Sequence, residues 1–248
     1  MRDYKLETSQ RIKFIRGTLK DARADGIVYG NSGGKDCALT GILCKMACNN
    51  TLGLIMPCGS KRNYESDRRD AEIVARQHNI DTRIIDLTEA KELLIKTVGR
   101  ETRVNDAAAA NIAPRLRMIA LYAAAASENR LVAGTGNRSE RHMGYFTKWG
   151  DGACDFNPIG DLTVTEVYEF LRYLKAPEFI ISKAPSAGLY DGQTDEEDMG
   201  VTYSSIDDLL LAGKTNKRDT AIIRKYHKAS GHKRCLPPVY GERRRDTE

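Results

Sequence analysis

The chain has 248 residues, 29% of them charged, with a formal net charge of +5, and that length suits one α/β domain, 1–248, with a sizeable core. The charges are interspersed, with the clearest basic clusters at Lys61-Arg62 with Arg68-Arg69 and at Arg243-Arg244-Arg245; small acidic ligands explain this balance better than a stable nucleic-acid partner, which normally demands a stronger basic stripe. No apolar run approaches bilayer length and the chain leads into a polar amphipathic stretch, so no membrane partner is expected and a cytoplasmic location is.

Six cysteines stand at 37, 44, 48, 58, 154 and 235 without a C-x-x-C pair, which disfavours structural zinc and thioredoxin-type chemistry and predicts free thiols. The first helix is expected from about Leu6 to Arg23, with Leu6, Ile12, Ile15 and Leu19 as its apolar stripe and Asp25-Gly26 at its end. Ile27-Val28-Tyr29-Gly30 then reads as a strand that stops at the small residues Asn31-Ser32-Gly33-Gly34, followed by Lys35-Asp36-Cys37 and a sparsely charged helix from Ala38 to Ala47. A strand, a glycine loop and a helix N-terminus make an anion site: the glycines let a ligand approach the backbone, and the helix points unpaired N–H groups at it. Lys35 adds a cation, and Asp36 adds a carboxylate that would repel phosphate unless a divalent metal lies between them. A turn with a dipole-favoured aspartate is the plainer alternative.

Thr51 to Met56 reads as a second buried strand, Glu65 to His78 as a helix, Thr82 to Leu87 as a strand and Thr88 to Val98 as a helix. The alternation predicts an open, mostly parallel sheet with helices on both faces. In the Ala-rich segment 107–129 a helix is expected from about Pro114 onward, on the view that proline opens helices. Leu131-Val132-Ala133-Gly134 is the next strand, and the residues after it should face the same crevice as Ser32 to Asp36, because ligands lie beyond the carboxyl ends of parallel strands.

The loop spacing matches neither G-x-x-x-x-G-K-[ST] nor G-x-G-x-x-G. The pattern S-G-G-x-D-[SC] resembles the pyrophosphate loop of enzymes that cleave ATP to AMP and pyrophosphate. Taken with Thr135-Gly136-Asn137-Arg138-Ser139-Glu140, the run 144–155, Asn157-Pro158-Ile159-Gly160-Asp161-Leu162, Lys183-Ala184-Pro185-Ser186-Ala187-Gly188-Leu189, Gln193-Thr194-Asp195-Glu196 and His232-Lys233-Arg234, it resembles the ammonia-dependent NAD synthetases over nearly the whole chain.

The resemblance implies an adenine-nucleotide α-hydrolase-like fold, usually a homodimer, and an activity in which ATP adenylates the nicotinate carboxylate of deamido-NAD, pyrophosphate leaves, and ammonia displaces AMP. It implies ATP contacts for Gly30, Asn31, Ser32, Gly33, Gly34, Lys35, Asp36, Cys37, Thr135 and Ser186, and deamido-NAD contacts for Arg115, Lys148, Asp155, His232 and Lys233. Mg²⁺ would lie on Asp36 and Glu140. Asp151 is the candidate for taking a proton from ammonium in the final step, with shaping of the Gly150-Asp151-Gly152 turn as the alternative. The acidic, aperiodic segment 187–200 reads as a mobile lid that excludes water from the acyl-adenylate.

Two positions depart from the family pattern. Cys37 stands where a serine is common, and Val164 where a lysine on ATP phosphate is common; Lys35 and Lys183 are possible substitutes for that cation. Without an added glutamine-hydrolysing domain, free ammonia is the expected nitrogen donor. A tRNA-modifying ATP pyrophosphatase and a non-catalytic adenine-nucleotide sensor are the alternatives, the first opposed by the missing C-x-x-C.

Overall fold

Four strands, β1 (Gly26–Gly30), β2 (Thr51–Ile55), β3 (Asp81–Ile84) and β4 (Arg130–Ala133), form one parallel sheet in the order β3-β2-β1-β4 in a computed structural model that describes residues 2–59, 65–183 and 194–241. Ile27 is in register with Thr51 on one side and Leu131 on the other. The chain moves outward from β1 through β2 to β3 and then returns to add β4 on the opposite flank. The order therefore reverses between β1 and β4, and the crevice beyond their carboxyl ends is where an open α/β sheet binds ligands.

Alternation along the strands sends side chains to two cores. Ile27 and Tyr29 of β1 join Ile15 and Leu19 of α1 (Tyr4–Ala22), Leu39 and Leu43 of α2 (Lys35–Ala47), and Val74 of α3 (Ser66–Gln77). Val28 faces the other way, with Leu52, Leu54, Val132 and Ala125. That second face is covered by α5 (Asp106–Ser127), and α4 (Thr88–Val98) packs against α5. Gly41 permits the close approach of α2 to the sheet, since a Cβ there would lie 2.4 Å from the Tyr29 hydroxyl.

The remaining helices are α6 (Arg138–Met143), α7 (Val164–Tyr173), α8 (Glu178–Ser182), α9 (Asp195–Met199), α10 (Tyr203–Ala212) and α11 (Lys217–Ala229), with a 3₁₀ turn at Gly231–Lys233. Met143, Val164, Met199, Tyr203, Ile206 and Ile223 make a third apolar cluster among them. Among the described residues no helix is long and apolar enough to cross a membrane, and all six cysteines are free.

Several expected boundaries shift. Helix α1 starts at Tyr4 because Asp3 accepts from the Lys5 and Leu6 amides, and it ends where Arg23 turns left-handed at φ 52°. Its buried face is Thr8, Arg11, Ile15 and Leu19; Leu6 is exposed. Arg11 takes a core position because Asp161 and Glu7 receive its guanidinium at 2.7 Å each.

The largest correction concerns α5, which begins eight residues before Pro114. Asn105 caps it by accepting from the Ala108 amide, the alanines 107–110 have the highest helix propensity, and Pro114 sits inside the helix as a buried residue. The proline removes one hydrogen bond, which capping and packing offset. Of the segment 187–200, residues 195–199 form α9, closed by Gly200 at φ 69°; residues 187–193 lie outside the described residues.

Candidate active site

The peptide after β1 has the build expected of a phosphate loop. Asn31 is buried; its amide nitrogen donates to the Ala71 carbonyl at 3.2 Å, and its oxygen accepts from the Gly33 amide at 3.4 Å. Gly33 has φ 71°, and a Cβ there would come within 2.2 Å of the Asp67 carbonyl, so conformation and space both require glycine. Gly34 is the N-cap of α2 and brings no side-chain cap, leaving the first-turn amides for a ligand. The Cys37 thiol donates to the Gly34 carbonyl at 3.1 Å and accepts from the Ser32 hydroxyl at 3.4 Å. Burial pushes this thiol up from its ordinary pKa, which keeps it neutral and inside the loop.

Two carboxylates converge on the loop from different strands. Asp36, on the first turn of α2, binds the Lys35 ammonium at 2.7 Å and the Asn137 amide at 3.1 Å. Asn137 caps α6 after β4, accepting from the Glu140 amide at 2.9 Å, while Glu140 accepts from the Asn137 amide at 3.0 Å. Burial and then the charge of Asp36 push the Glu140 carboxyl well above the usual carboxylate range. Burial pulls on Lys35 in the opposite sense, but Asp36 and Glu140 outweigh it and hold the ammonium above its ordinary value. Tyr168 and Tyr203 lie 5.9 and 5.7 Å from that ammonium.

Among the described residues no group of three or more His, Cys, Asp or Glu side chains is arranged for a metal. Asp36 and Glu140 nevertheless fit a hard divalent cation, because they supply oxygen donors and a cation would relieve the repulsion that raises Glu140.

A cavity of about 930 Å³ opens above these groups, at the reversal between β1 and β4. Gly30, Asn31, Ser32, Gly34, Lys35, Asp36, Cys37, Thr135 and Glu140 line it, as does Asp151 on the far wall. Asp151 is exposed within the cavity; partial desolvation by the cavity walls pushes its carboxyl up, against the hydrogen bond it accepts from the Thr147 amide at 3.0 Å. Lys233 also lines the cavity and donates to the Gly144 and Phe146 carbonyls at 2.8 and 2.7 Å. Its ammonium is lowered by burial and by nearby Arg115, against Asp151.

Arg115, Lys148, His232 and Asp155 do not line this cavity. The first three form a chain beside it: Arg115 donates to the Lys148 carbonyl at 3.4 Å, and the Lys148 ammonium to the His232 carbonyl at 2.7 Å. The Asp155 carboxylate accepts from the Tyr122 hydroxyl and the Val132 amide. Ser186 lies outside the described residues. Val164 is buried in the third apolar cluster and does not face the cavity, while Lys183 is engaged by Gly33, Asp67 and Asp70.

Three residues of the site carry no expected role. Asn137, buried behind the cavity wall, has a usable signal, since N-x-x-E is a capping-box pattern. Arg117, whose Nε donates to the Met56 carbonyl at 3.1 Å, and Asn111, which accepts from the Thr147 hydroxyl at 2.7 Å, carried none, because α5 was expected to begin after Asn111 and only its tertiary packing aims them inward.

Known proteins resemble this chain in sequence and in fold. An NH(3)-dependent NAD(+) synthetase of Carboxydothermus hydrogenoformans is 45% identical over 236 residues, covering 94% of this chain and 96% of its own. A structure of NMN synthetase from Francisella tularensis superposes with a TM-score of 0.92 at 36% identity, covering 98% of this chain and all of the other. An NH3-dependent NAD synthetase structure from Campylobacter jejuni superposes with a TM-score of 0.80 at 30% identity, covering 96% and 99%. A profile of the NAD synthase family matches residues 7–236, and with the phosphate loop and its paired carboxylates already at the sheet reversal, the chain belongs to that family.

Proposed function

We propose that this chain amidates deamido-NAD to NAD, using ATP to activate the nicotinate carboxylate as an acyl-adenylate and ammonia as the nitrogen donor. The carrying observation is the meeting of the glycine loop after β1 with Glu140 after β4 on one cavity, in a chain of the NAD synthase family. The carboxylate attacks the α-phosphorus, the bond to pyrophosphate breaks, and negative charge grows on the leaving group. The Gly34 amide and the first-turn amides of α2 stabilise that charge, being fixed before the reaction begins.

Asp36 and Glu140 would hold Mg²⁺, which when bound neutralises charge on the phosphates. Asn137 keeps both carboxylates in place, and Lys35 holds Asp36 from within. Thr135 and Ser186 are assigned to ATP. Asp151 takes a proton from ammonium to free the attacking lone pair; its raised pKa brings the carboxyl closer to that of ammonium and makes it a better acceptor. Lys233, with Arg115, Lys148, His232 and Asp155 beside the cavity, is assigned to the dinucleotide. We also assign a homodimer: α4 buries none of its side chains, and Leu93 with Ile119 on the adjoining α5 remains exposed.

The assay incubates the protein with deamido-NAD, ATP, Mg²⁺ and an ammonium salt and quantifies NAD, AMP and pyrophosphate. Equal amounts of the three products support the reading; dinucleotide binding without amidation defeats it. The match to an NMN synthetase structure favours a second reading of the substrate, in which the same chemistry acts on the mononucleotide acid. Comparing kcat/KM for nicotinate mononucleotide and deamido-NAD decides between them.

A further inference from the structure

Lys183, at the end of α8, stands with Asp67 on the cavity wall and directs its ammonium at the phosphate loop and at α3. It donates to the Gly33 carbonyl at 3.2 Å, Asp67 at 2.8 Å and Asp70 at 2.6 Å, so its three N–H groups meet three acceptors. The two carboxylates belong to the first turns of α3, which also supports the loop through the Asn31 to Ala71 hydrogen bond and through the close packing of Gly33 on Asp67. Helix α3 is thus a back wall, and Lys183 is a strut between it and one loop carbonyl.

That carbonyl belongs to the peptide joining Gly33 to Gly34. Neither neighbour has a Cβ, so this is the unit of the loop most able to flip. A trans peptide holds its C=O and N–H antiparallel in one plane; fixing the carbonyl toward α3 fixes the Gly34 N–H on the opposite side, where Gly34 lines the cavity. We infer that Lys183 is a positioning residue that locks the Gly33–Gly34 peptide so that the Gly34 amide is aimed at ATP phosphate. This rests on the reading of the cavity as the ATP site. It assigns Lys183 a different part from that of a phosphate ligand, which would have to leave three acceptors.

The test uses full-length ¹⁵N-glycine-labelled protein as wild type, Lys183→Met, and the charge-compensated Lys183→Met/Asp67→Asn/Asp70→Asn. Inorganic pyrophosphate with Mg²⁺ is the calorimetric probe, and the Gly34 amide is followed by NMR in the ligand-free protein. In both variants the Gly34 amide is expected to shift and broaden, and pyrophosphate to bind about tenfold more weakly, the loss of one charge-assisted hydrogen bond's alignment, with the deamido-NAD KM unchanged. Wild-type affinity in the triple variant would reduce Lys183 to a counter-charge and overturn the inference. Weakened binding with an unmoved Gly34 amide would make it a direct phosphate ligand, and also overturn it. A wild type that binds no pyrophosphate overturns the ATP reading itself, a result distinct from either.

Discussion

The Asn137 side-chain amide donates to the Asp36 carboxylate at 3.1 Å, joining the helix after β1 to the helix after β4 across the reversal of the sheet. Through the same side chain the Glu140 amide is capped, so one residue sets the spacing of both carboxylates. Asn137→Ala should lower stability by about 1 kcal/mol, the usual loss of an N-cap. It should also raise the Mg²⁺ concentration needed for half-maximal activity several-fold. Thermal unfolding and Mg²⁺ titration of the rate check the two effects separately; an unchanged Mg²⁺ dependence would remove Asn137 from the metal arrangement.

Asp36→Asn and Glu140→Gln should each reduce Mg²⁺-dependent ATP turnover, and the double variant should be little worse than the poorer single one, because residues that act as one unit are not additive. Full additivity in a double-mutant cycle would place them in separate roles.

Glu140 gives a stability prediction of opposite sign to its activity. Its folded pKa is raised by burial and by Asp36, so the folded protein binds this proton more tightly than the unfolded chain, and ionisation costs stability as pH rises above the unfolded carboxylate value of about 4.3. Glu140→Gln keeps the capping-box geometry and should melt higher than wild type at pH 8 without metal, with the gain shrinking toward pH 5. Melting curves across that range test it, and a constant or inverted difference would contradict the assigned repulsion.

Val164 is only 4% exposed, in contact with the Met143 and Ile206 cluster, and its amide donates to the Ser139 hydroxyl at 3.2 Å. It opens α7, where a cation opposes the helix dipole. Val164→Lys should therefore destabilise by about 2–4 kcal/mol and leave the ATP KM no lower. A lowered KM in a stable variant would mean that the lysine reaches the cavity and restores a phosphate contact.

For the homodimer, Leu93→Asp with Ile119→Asp should shift the protein to monomer in light scattering without changing the monomer's melting profile, since neither side chain is buried within the chain. Dimers that persist in this variant would move the interface elsewhere.

The sequence by itself determined the parallel sheet and the glycine loop, because each is a local pattern: an apolar run broken by two glycines, a helix beginning at Lys35, and a second strand ending just before Thr135; the pairing of Asp36 with Glu140 was implied by the family resemblance, and it is Asn137 that joins them in space. The family resemblance rested on the same strings, and family membership selects the synthetase over the tRNA-modifying and sensor alternatives. Tertiary structure decided what depends on distant partners. Arg11 is a core residue because Asp161, 150 positions away, and Glu7 receive its guanidinium. Pro114 is an exception of local origin, lying within a helix that Asn105 and four alanines start earlier. Val164 is buried by α6, α10 and α11, and Lys183 turns to α3 because Asp67 and Asp70 wait there. Local spacing fixes which way a side chain leaves its own element; what that side chain meets, and whether its charge is matched there, is set by elements far away in the sequence.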